Sequence, residues 1–373
     1  MAASPSVVGS GPADEGHVSD PGGLAYVAAR VQHELEDFVV VQRSRLAPIG
    51  SDLVPFLDAV QAYVSGGKRL RPAFCWWGWR AAGGDPADER VLHAAAALEW
   101  LQGCALAHDD VVDDSDTRRG APALHRALTS MHRQHQWRGD PNSFGVGTAI
   151  MLGDLMLSWA DEMFRGSGLP LDAVTAAAPY LDALKSEVVA GQLLDLLEQA
   201  RADGTVVGAM RVVRYKAAKY TVERPLHLGA ALAGAGSELM VALSAFGLPV
   251  GEAFQLRDDV LGVFGEPTVT GKPAGDDLRE GKRTVLLARA LEKADDRGRS
   301  LLERLVGDPA LQEDDVERLR AVITESGALD SVEQQITDLS DEAQSALAAA
   351  PLHDQVARAA LSDLAARSIE RRR

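Results

Sequence analysis

The sequence predicts an all-α protein, and three observations predict it. Aromatic residues make up 5% of the 373 positions against 46% hydrophobic residues in all. Ala and Leu are abundant, which favours helix over the β-branched and aromatic composition of sheets. From Leu24 onward, apolar residues recur at helical spacing with little interruption. The interruptions coincide with Gly, Pro and Asp clusters: Gly83-Gly84-Asp85-Pro86, Gly139-Asp140-Pro141-Asn142 and Gly166-Ser167-Gly168. No run alternates in the manner of a strand.

Taken in order, residues 1–23 are rich in Gly, Pro, Ser and Asp with almost no large apolar side chain, so a disordered tail is expected there. Helices are expected over 24–45, 51–65, 70–82 and 87–113, the last following the Gly83 to Pro86 break. Helices at 122–136 and 144–165 flank the Gly139 cluster, and the Gly166 cluster precedes 171–200. The periodicity then predicts 207–234 and 237–264, a Gly- and Pro-broken loop, and helices over 281–295, 299–306, 313–326, 328–350 and 353–370. No repeat and no shift in composition marks a second domain. Residues 24–373 are therefore expected to form one all-α domain, with several helices apolar enough to be central.

The net charge of −16 argues against a nucleic acid or an anionic membrane surface as partner, since both demand a basic face. Two cysteines, Cys75 and Cys104, lie in apolar surroundings and suggest reduced thiols in the cytoplasm. The N-terminus lacks the basic and apolar regions of a secretory signal. No stretch reaches about 18 uninterrupted apolar residues, and the nearest, Leu226 to Phe254, contains His227, Ser237, Glu238, Pro249 and Glu252.

Against this background two acidic clusters stand out: Asp109-Asp110-Val111-Val112-Asp113 and Asp258-Asp259-Val260-Leu261-Gly262. Each follows a long apolar stretch. Carboxylates crowded at one end of a buried helix repel one another and desolvate badly. On a helix Asp109, Asp113 and Asp116 share one stripe, near the end where the helix dipole is already negative. Hard cations between the clusters account for them, because Mg²⁺ takes oxygen ligands and shares itself with substrate phosphates. A DDxxD run by itself fits a solvated helix end better than a metal site.

Basic runs accompany the acids. Arg118-Arg119-Gly120 follows the first cluster, and Gly66-Gly67-Lys68-Arg69-Leu70-Arg71-Pro72 precedes it. A loop with Lys272 and Lys282, ten residues apart, follows the second cluster, where Gln255 lies one turn before Asp258. Planar guanidinium groups suit bidentate phosphate binding, and glycines let the backbone approach an anion. The GxxxxGK[ST] spacing of a Walker A loop is absent. Each run alone could be a solvated surface. Their conjunction implies two diphosphate sites flanking a metal site.

In this order and spacing, GGKRLRP, HDDVVDDSDTRRG, FQLRDDVLG and GKPAGDDLREGKRT resemble the trans-isoprenyl diphosphate (polyprenyl) synthases, over about residues 24–370. The resemblance, nearest to geranylgeranyl diphosphate synthases, implies an all-α bundle around a central cavity and a homodimer. It implies two or three Mg²⁺ ions held by Asp109, Asp110, Asp113, Asp258 and Asp259. It implies an isopentenyl diphosphate site of Lys68, Arg71, Gln102 and Arg119. It places the allylic diphosphate against Arg118, Lys219 (with Lys216 as the alternative), Gln255, Lys272 and Lys282. One departure is Gly262, where many members have a third Asp. The implied reaction is ionisation of the allylic diphosphate and attack by the isopentenyl double bond in a dry, apolar pocket.

In this family, bulk just below the first acidic motif limits product length. Cys104 and Ala105, five and four residues before Asp109, are small, and Leu98 lies in line about 16 Å deeper. Geranylgeranyl diphosphate is therefore the expected product, with farnesyl or longer (C25 and above) diphosphates as alternatives. A class I terpene cyclase would also use DDxxD and magnesium, and a non-catalytic partner subunit would share the fold. The second set of basic residues and the intact first motif speak against these two.

Overall fold

In this computed structural model, residues 23–201, 204–265, 275–308 and 310–369 are described. The expected N-terminal tail falls almost wholly outside them, as do Lys272 and the terminal Arg371-Arg372-Arg373. Among the described residues the regular structure is helical apart from one pair of two-residue strands.

Four helices come first: α1 (Leu24–Leu46), α2 (Val54–Val64) after a 3₁₀ turn at Ser51–Leu53, α3 (Leu70–Ala81) and α4 (Arg90–Val112). α4 starts three residues later than the periodicity predicts. Asp85 and Asp88 accept hydrogen bonds from the backbone N–H groups of Ala87 and Arg90, and so hold the preceding residues in turns. Strands β1 (Thr117–Arg118) and β2 (Ala121–Pro122) pair antiparallel. Arg119 (φ 54°) and Gly120 (φ 76°) form the two-residue corner between them, a hairpin geometry that needs positive φ at both positions. This strand pair was not expected from the sequence, because two residues are too few to show alternation.

Next come α5 (Leu124–Gln134), α6 (Pro141–Arg165) and α7 (Leu171–Arg201). Asp140 caps α6 by accepting from the Ser143 N–H at 2.8 Å, with Pro141 in the first turn. The helix expected over 207–234 is divided into α8 (Val206–Val212), a π-helical stretch (Val213–Glu223) and α9 (Arg224–Leu232). α10 (Ser237–Phe264) is followed by α11 (Asp276–Glu280), α12 (Val285–Lys293), α13 (Asp296–Leu305), α14 (Glu313–Glu325), α15 (Ala328–Ala349) and α16 (Gln355–Ile369). Gly281, expected to begin a helix, instead ends α11 with φ 73°.

α4 is the central helix, packed along α6 and against α1 and α3. Ala94, Ala95, Ala96, Ala97, Leu98 and Trp100 are fully buried on it. α10 packs on the π-helical stretch and on α15. A larger apolar cluster surrounds α4, and a smaller one joins α10 to α12, α14 and α15. By length and composition alone, α6 and α10 could each cross a membrane. Both are instead packed along neighbouring helices of the bundle. The stretch Leu226 to Phe254 is shared between α9 and α10.

Candidate active site

The last turns of α4 and α10 open onto a cavity of about 1340 Å³, bounded also by α3, α6, α7, the π-helical stretch and, from the β1–β2 hairpin, Arg118 and Arg119. Asp109 lines it from α4, and Asp258 and Asp259 line it from α10. Asp113, one turn beyond Asp109, lies beside the Lys282 ammonium at 3.4 Å. Burial raises the Asp113 carboxyl to about 6, and the charge of Asp109 adds to the effect. Burial also acts on Asp109. There the positive charges of Lys216, Lys282 and Arg118 prevail and hold its carboxyl below the usual range. Asp259 is pushed up to about 8 by burial, against the pull of a 2.8 Å hydrogen bond from the Gln255 amide.

Asp110 departs from the expected metal set. Its side chain is fully buried and faces away from the cavity. It accepts from Tyr63 Oη at 2.8 Å and from Arg118 Nε at 2.7 Å. Asp110 thus anchors Arg118 beside Asp109, whose Oδ2 lies 3.6 Å from the same guanidinium. One residue along a helix is a turn of about 100°, and here that turn carries Asp110 onto Tyr63 and Arg118 while Asp109 stays on the cavity wall.

Lys68, Arg71, Gln102 and Arg119, expected at one diphosphate site, all line the cavity. Arg71 donates to Thr221 Oγ1 at 2.9 Å and lies 4.2 Å from the centre of the Tyr220 ring, and Tyr220 in turn donates to Gln102. The Arg71 Nε is buried without a hydrogen-bond partner. A Cβ on Gly67 (φ 91°) would press on the Arg119 guanidinium at 3.2 Å, so glycine here leaves room for that side chain. Burial lowers the affinity of Arg119 for its proton, as for a cation held in readiness for an anion.

Of the residues expected at the other diphosphate site, Arg118, Gln255 and Lys282 line the cavity, and Lys272 is outside the described residues. Lys219 does not line it. Its ammonium is taken by Glu187 at 3.1 Å and Glu223 at 3.4 Å. Lys216, the alternative, does line it, 2.6 Å from Asp195 and 3.4 Å from Asp109. The reason is the π-helical stretch. Its wider i→i+5 turn carries side chains three apart onto different faces, whereas an α-helix would hold them on one. We expect Lys216→Met to lower kcat about 100-fold, the scale of one charged contact to a leaving group. Lys219→Met should leave kcat within about threefold, because its partners lie outside the cavity. Steady-state kinetics on the two variants checks this.

Two acidic side chains were missed by sequence reasoning. Asp195 on α7 shares Lys216 with Asp109, and no local pattern marks it in a long helix. Asp277 answers the question raised by Gly262. A Cβ built on Gly262 would run into the Asp277 carboxylate, so Asp277 fills the place of a side chain at 262. The Gly275-Asp276-Asp277 run was visible, but its approach to α10 was not. Lys282 lies 3.8 Å from Asp277 and 2.5 Å from Glu280, and these carboxylates with Asp113 raise its affinity for a proton despite burial.

Among the described residues no three acidic, His or Cys side chains converge closely enough to hold a metal unaided. The donors are carboxylate oxygens on opposite walls. That suits Mg²⁺, which binds through one or two carboxylates and completes its shell with water and substrate phosphate.

Residues 55–323 match the sequence profile described as Polyprenyl synthetase. The chain is 33% identical over 344 residues to the geranylfarnesyl diphosphate synthase of Aeropyrum pernix, covering 91% of this chain and 99% of that one.

The chain belongs to the polyprenyl synthetase family.

It is therefore a trans-prenyltransferase, using isopentenyl and allylic diphosphates as its family does. Another polyprenyl synthetase, the geranylgeranyl diphosphate synthase of Mycobacterium tuberculosis, is 33% identical, covering 79% of this chain and 77% of that one. The crystal structure of the Corynebacterium glutamicum geranylgeranyl pyrophosphate synthase, complexed with isoprenyl diphosphate and magnesium, is similar at a TM-score of 0.90 and 42% identity. The similarity spans 94% of this protein and 99% of that one. Magnesium dependence is general in the family.

Proposed function

We propose that this polyprenyl synthetase adds isopentenyl diphosphate to allylic diphosphates and stops at geranylgeranyl diphosphate. The observation that carries the reading is one cavity with two cationic groups, facing carboxylates, and an apolar wall unobstructed at Cys104 and Ala105. Lys68, Arg71, Gln102 and Arg119 hold the isopentenyl diphosphate. Arg118, Lys216, Gln255 and Lys282 face the allylic diphosphate. Asp109, Asp113, Asp258, Asp259 and Asp277 are the residues that would hold two or three Mg²⁺ ions.

Magnesium, when bound, supplies positive charge to the departing diphosphate. Lys216, Arg118 and Lys282 aim their charges at the same group and stabilise it as the allylic C–O bond breaks. The isopentenyl double bond then attacks the allylic carbon, forming one C–C bond, and a proton leaves the adjacent carbon for the diphosphate. Leu101, Cys104, Ala105, Leu157 and Val188 line the cavity and exclude water from the cation. The Cys104 thiol, pushed up to about 12 by burial, stays protonated and non-nucleophilic.

Incubation of the purified protein with isopentenyl diphosphate, farnesyl diphosphate and Mg²⁺ tests the reading. A C20 diphosphate is expected, and a hydrocarbon formed without isopentenyl diphosphate would overturn it. Ala105→Phe places a ring against the cavity about 6 Å below Asp109. It should shift the main product to C15, read by chromatography after dephosphorylation.

Leu98, the expected floor, is fully buried in the core and does not line the cavity. It lies in line with Asp109 on the helix, but at that depth α4 is enclosed by its neighbours on all sides.

Met151 (62% exposed) on α6 and, on the open side of the cavity, Val189 and Leu193 (59% and 62%) on α7 offer apolar surface, which in this reading is covered by a second copy of the protein. Sedimentation should show a dimer. We place the enzyme in the cytoplasm, with the helices from Leu24 to Ile369 acting as one catalytic unit.

A further inference from the structure

We propose that the ion pair between Asp161 on α6 and Lys185 on α7 is the floor that ends product growth. This rests on the reading of the protein as a geranylgeranyl diphosphate synthase. Both side chains line the active-site cavity. Lys185 Nζ lies 2.8 Å from Asp161 Oδ1 and 3.0 Å from Asp182 Oδ1, so it joins the two helices that wall the cavity.

Two independent measures give the depth of the pair. α4 and α6 run antiparallel. His108 lies against the Ile150 carbonyl at 3.2 Å, and Trp100 packs on Trp159 with ring centres 5.0 Å apart. Asp161 is eleven residues beyond Ile150, or about 16 Å deeper along α6. On α7, Asp195 shares Lys216 with Asp109, and Lys185 is ten residues before it, about 15 Å deeper. The pair therefore lies about 15 Å below the acidic cluster, on the helix faces that carry the cavity.

An isoprene unit lengthens the prenyl backbone by four C–C bonds, or about 5 Å when extended. A C15 tail with its diphosphate among the carboxylates reaches the pair. A C20 tail in the same position would have to pass it. Passing means parting the pair or stripping the remaining water from two side chains that are 22% and 31% exposed, and both cost more than an extra unit of apolar contact returns. C15 is thus the longest starter that fits, and C20 the product that cannot return as a starter. Cys104 and Ala105 admit the tail, and the pair stops it.

The test measures product length and starter choice with the purified full-length protein, Mg²⁺ and labelled isopentenyl diphosphate. The unaltered protein should use a C15 starter at least about 100-fold better than a C20 starter in kcat/KM. Lys185→Met and Asp161→Leu should each raise the ratio of C25-and-longer to C20 products at least about tenfold. Lys185→Arg, which keeps the pair, should retain C20. Equal use of C15 and C20 starters by the unaltered protein overturns the proposal, as does an unchanged product ratio in an active Lys185→Met or Asp161→Leu variant. Absence of any condensation by the unaltered protein would overturn the functional reading instead. The starter comparison needs no variant, so a variant that fails to fold leaves the proposal exposed to refutation.

Discussion

Asp109→Ala should lower kcat about 10³-fold, near 4 kcal/mol of transition-state stabilisation, and leave the fold intact. Asp110→Ala, one residue away, should do the opposite kind of damage. Asp109 is on the cavity wall, and when it is removed Lys216 still keeps Asp195 at 2.6 Å. No buried charge is stranded, and crowding around Asp113 is relieved. The thermal midpoint should hold or rise slightly while the Mg²⁺ requirement climbs. Asp110 is fully buried and carries Tyr63 and Arg118. Its loss leaves a half-buried guanidinium without its main partner, which costs about 3–5 kcal/mol. Thermal unfolding with steady-state kinetics on both variants separates the two. A large loss of stability in Asp109→Ala, or none in Asp110→Ala, would contradict the assignment.

Restoring an aspartate at position 262 is the second large effect. Gly262→Asp gives the second motif a third acid, yet it should lower both stability and activity in this protein. The new side chain meets the Asp277 carboxylate in the same space. Overlap and like charge together should cost about 1–3 kcal/mol. Asp277→Ala alone should weaken Mg²⁺ binding about 10- to 100-fold through the loss of one carboxylate. The double variant Gly262→Asp with Asp277→Ala should recover much of both losses, giving a coupling energy of about 1–3 kcal/mol. Strict additivity of the two single effects would show that the carboxylates do not share a site.

The helices were legible because their signal is local. Apart from α11, which falls in the expected loop, the observed bounds follow the 3.6-residue period and the Gly/Pro clusters closely. The exceptions have local causes that periodicity does not encode. Asp85 and Asp88 delay α4, positive φ at Gly281 ends α11, and a π-helical stretch divides the helix over 207–234. The basic and acidic runs that would hold two diphosphates were equally legible, since Lys68, Arg71, Gln102, Arg118, Arg119, Gln255 and Lys282 all reach one cavity. That Lys219 would lie outside the cavity was not legible, because a wider helical turn leaves no mark on composition.

The sequence by itself determined the helical class, the positions of the charged runs, and the chemistry those runs imply. Each depends on residues within a turn or two of one another. Only the tertiary structure decided which members of those runs share the cavity. Asp110 turns to Tyr63 while Asp109 faces in, Lys216 lines the cavity where Lys219 does not, and Asp277 stands where Gly262 leaves space. Leu98 belongs to the core, and Asp161 and Lys185 meet at the deep end of the cavity, from helices that the sequence does not pair. The physical reason is range. A helical period fixes the direction of a side chain about its own axis, but what that group meets depends on how distant helices pack.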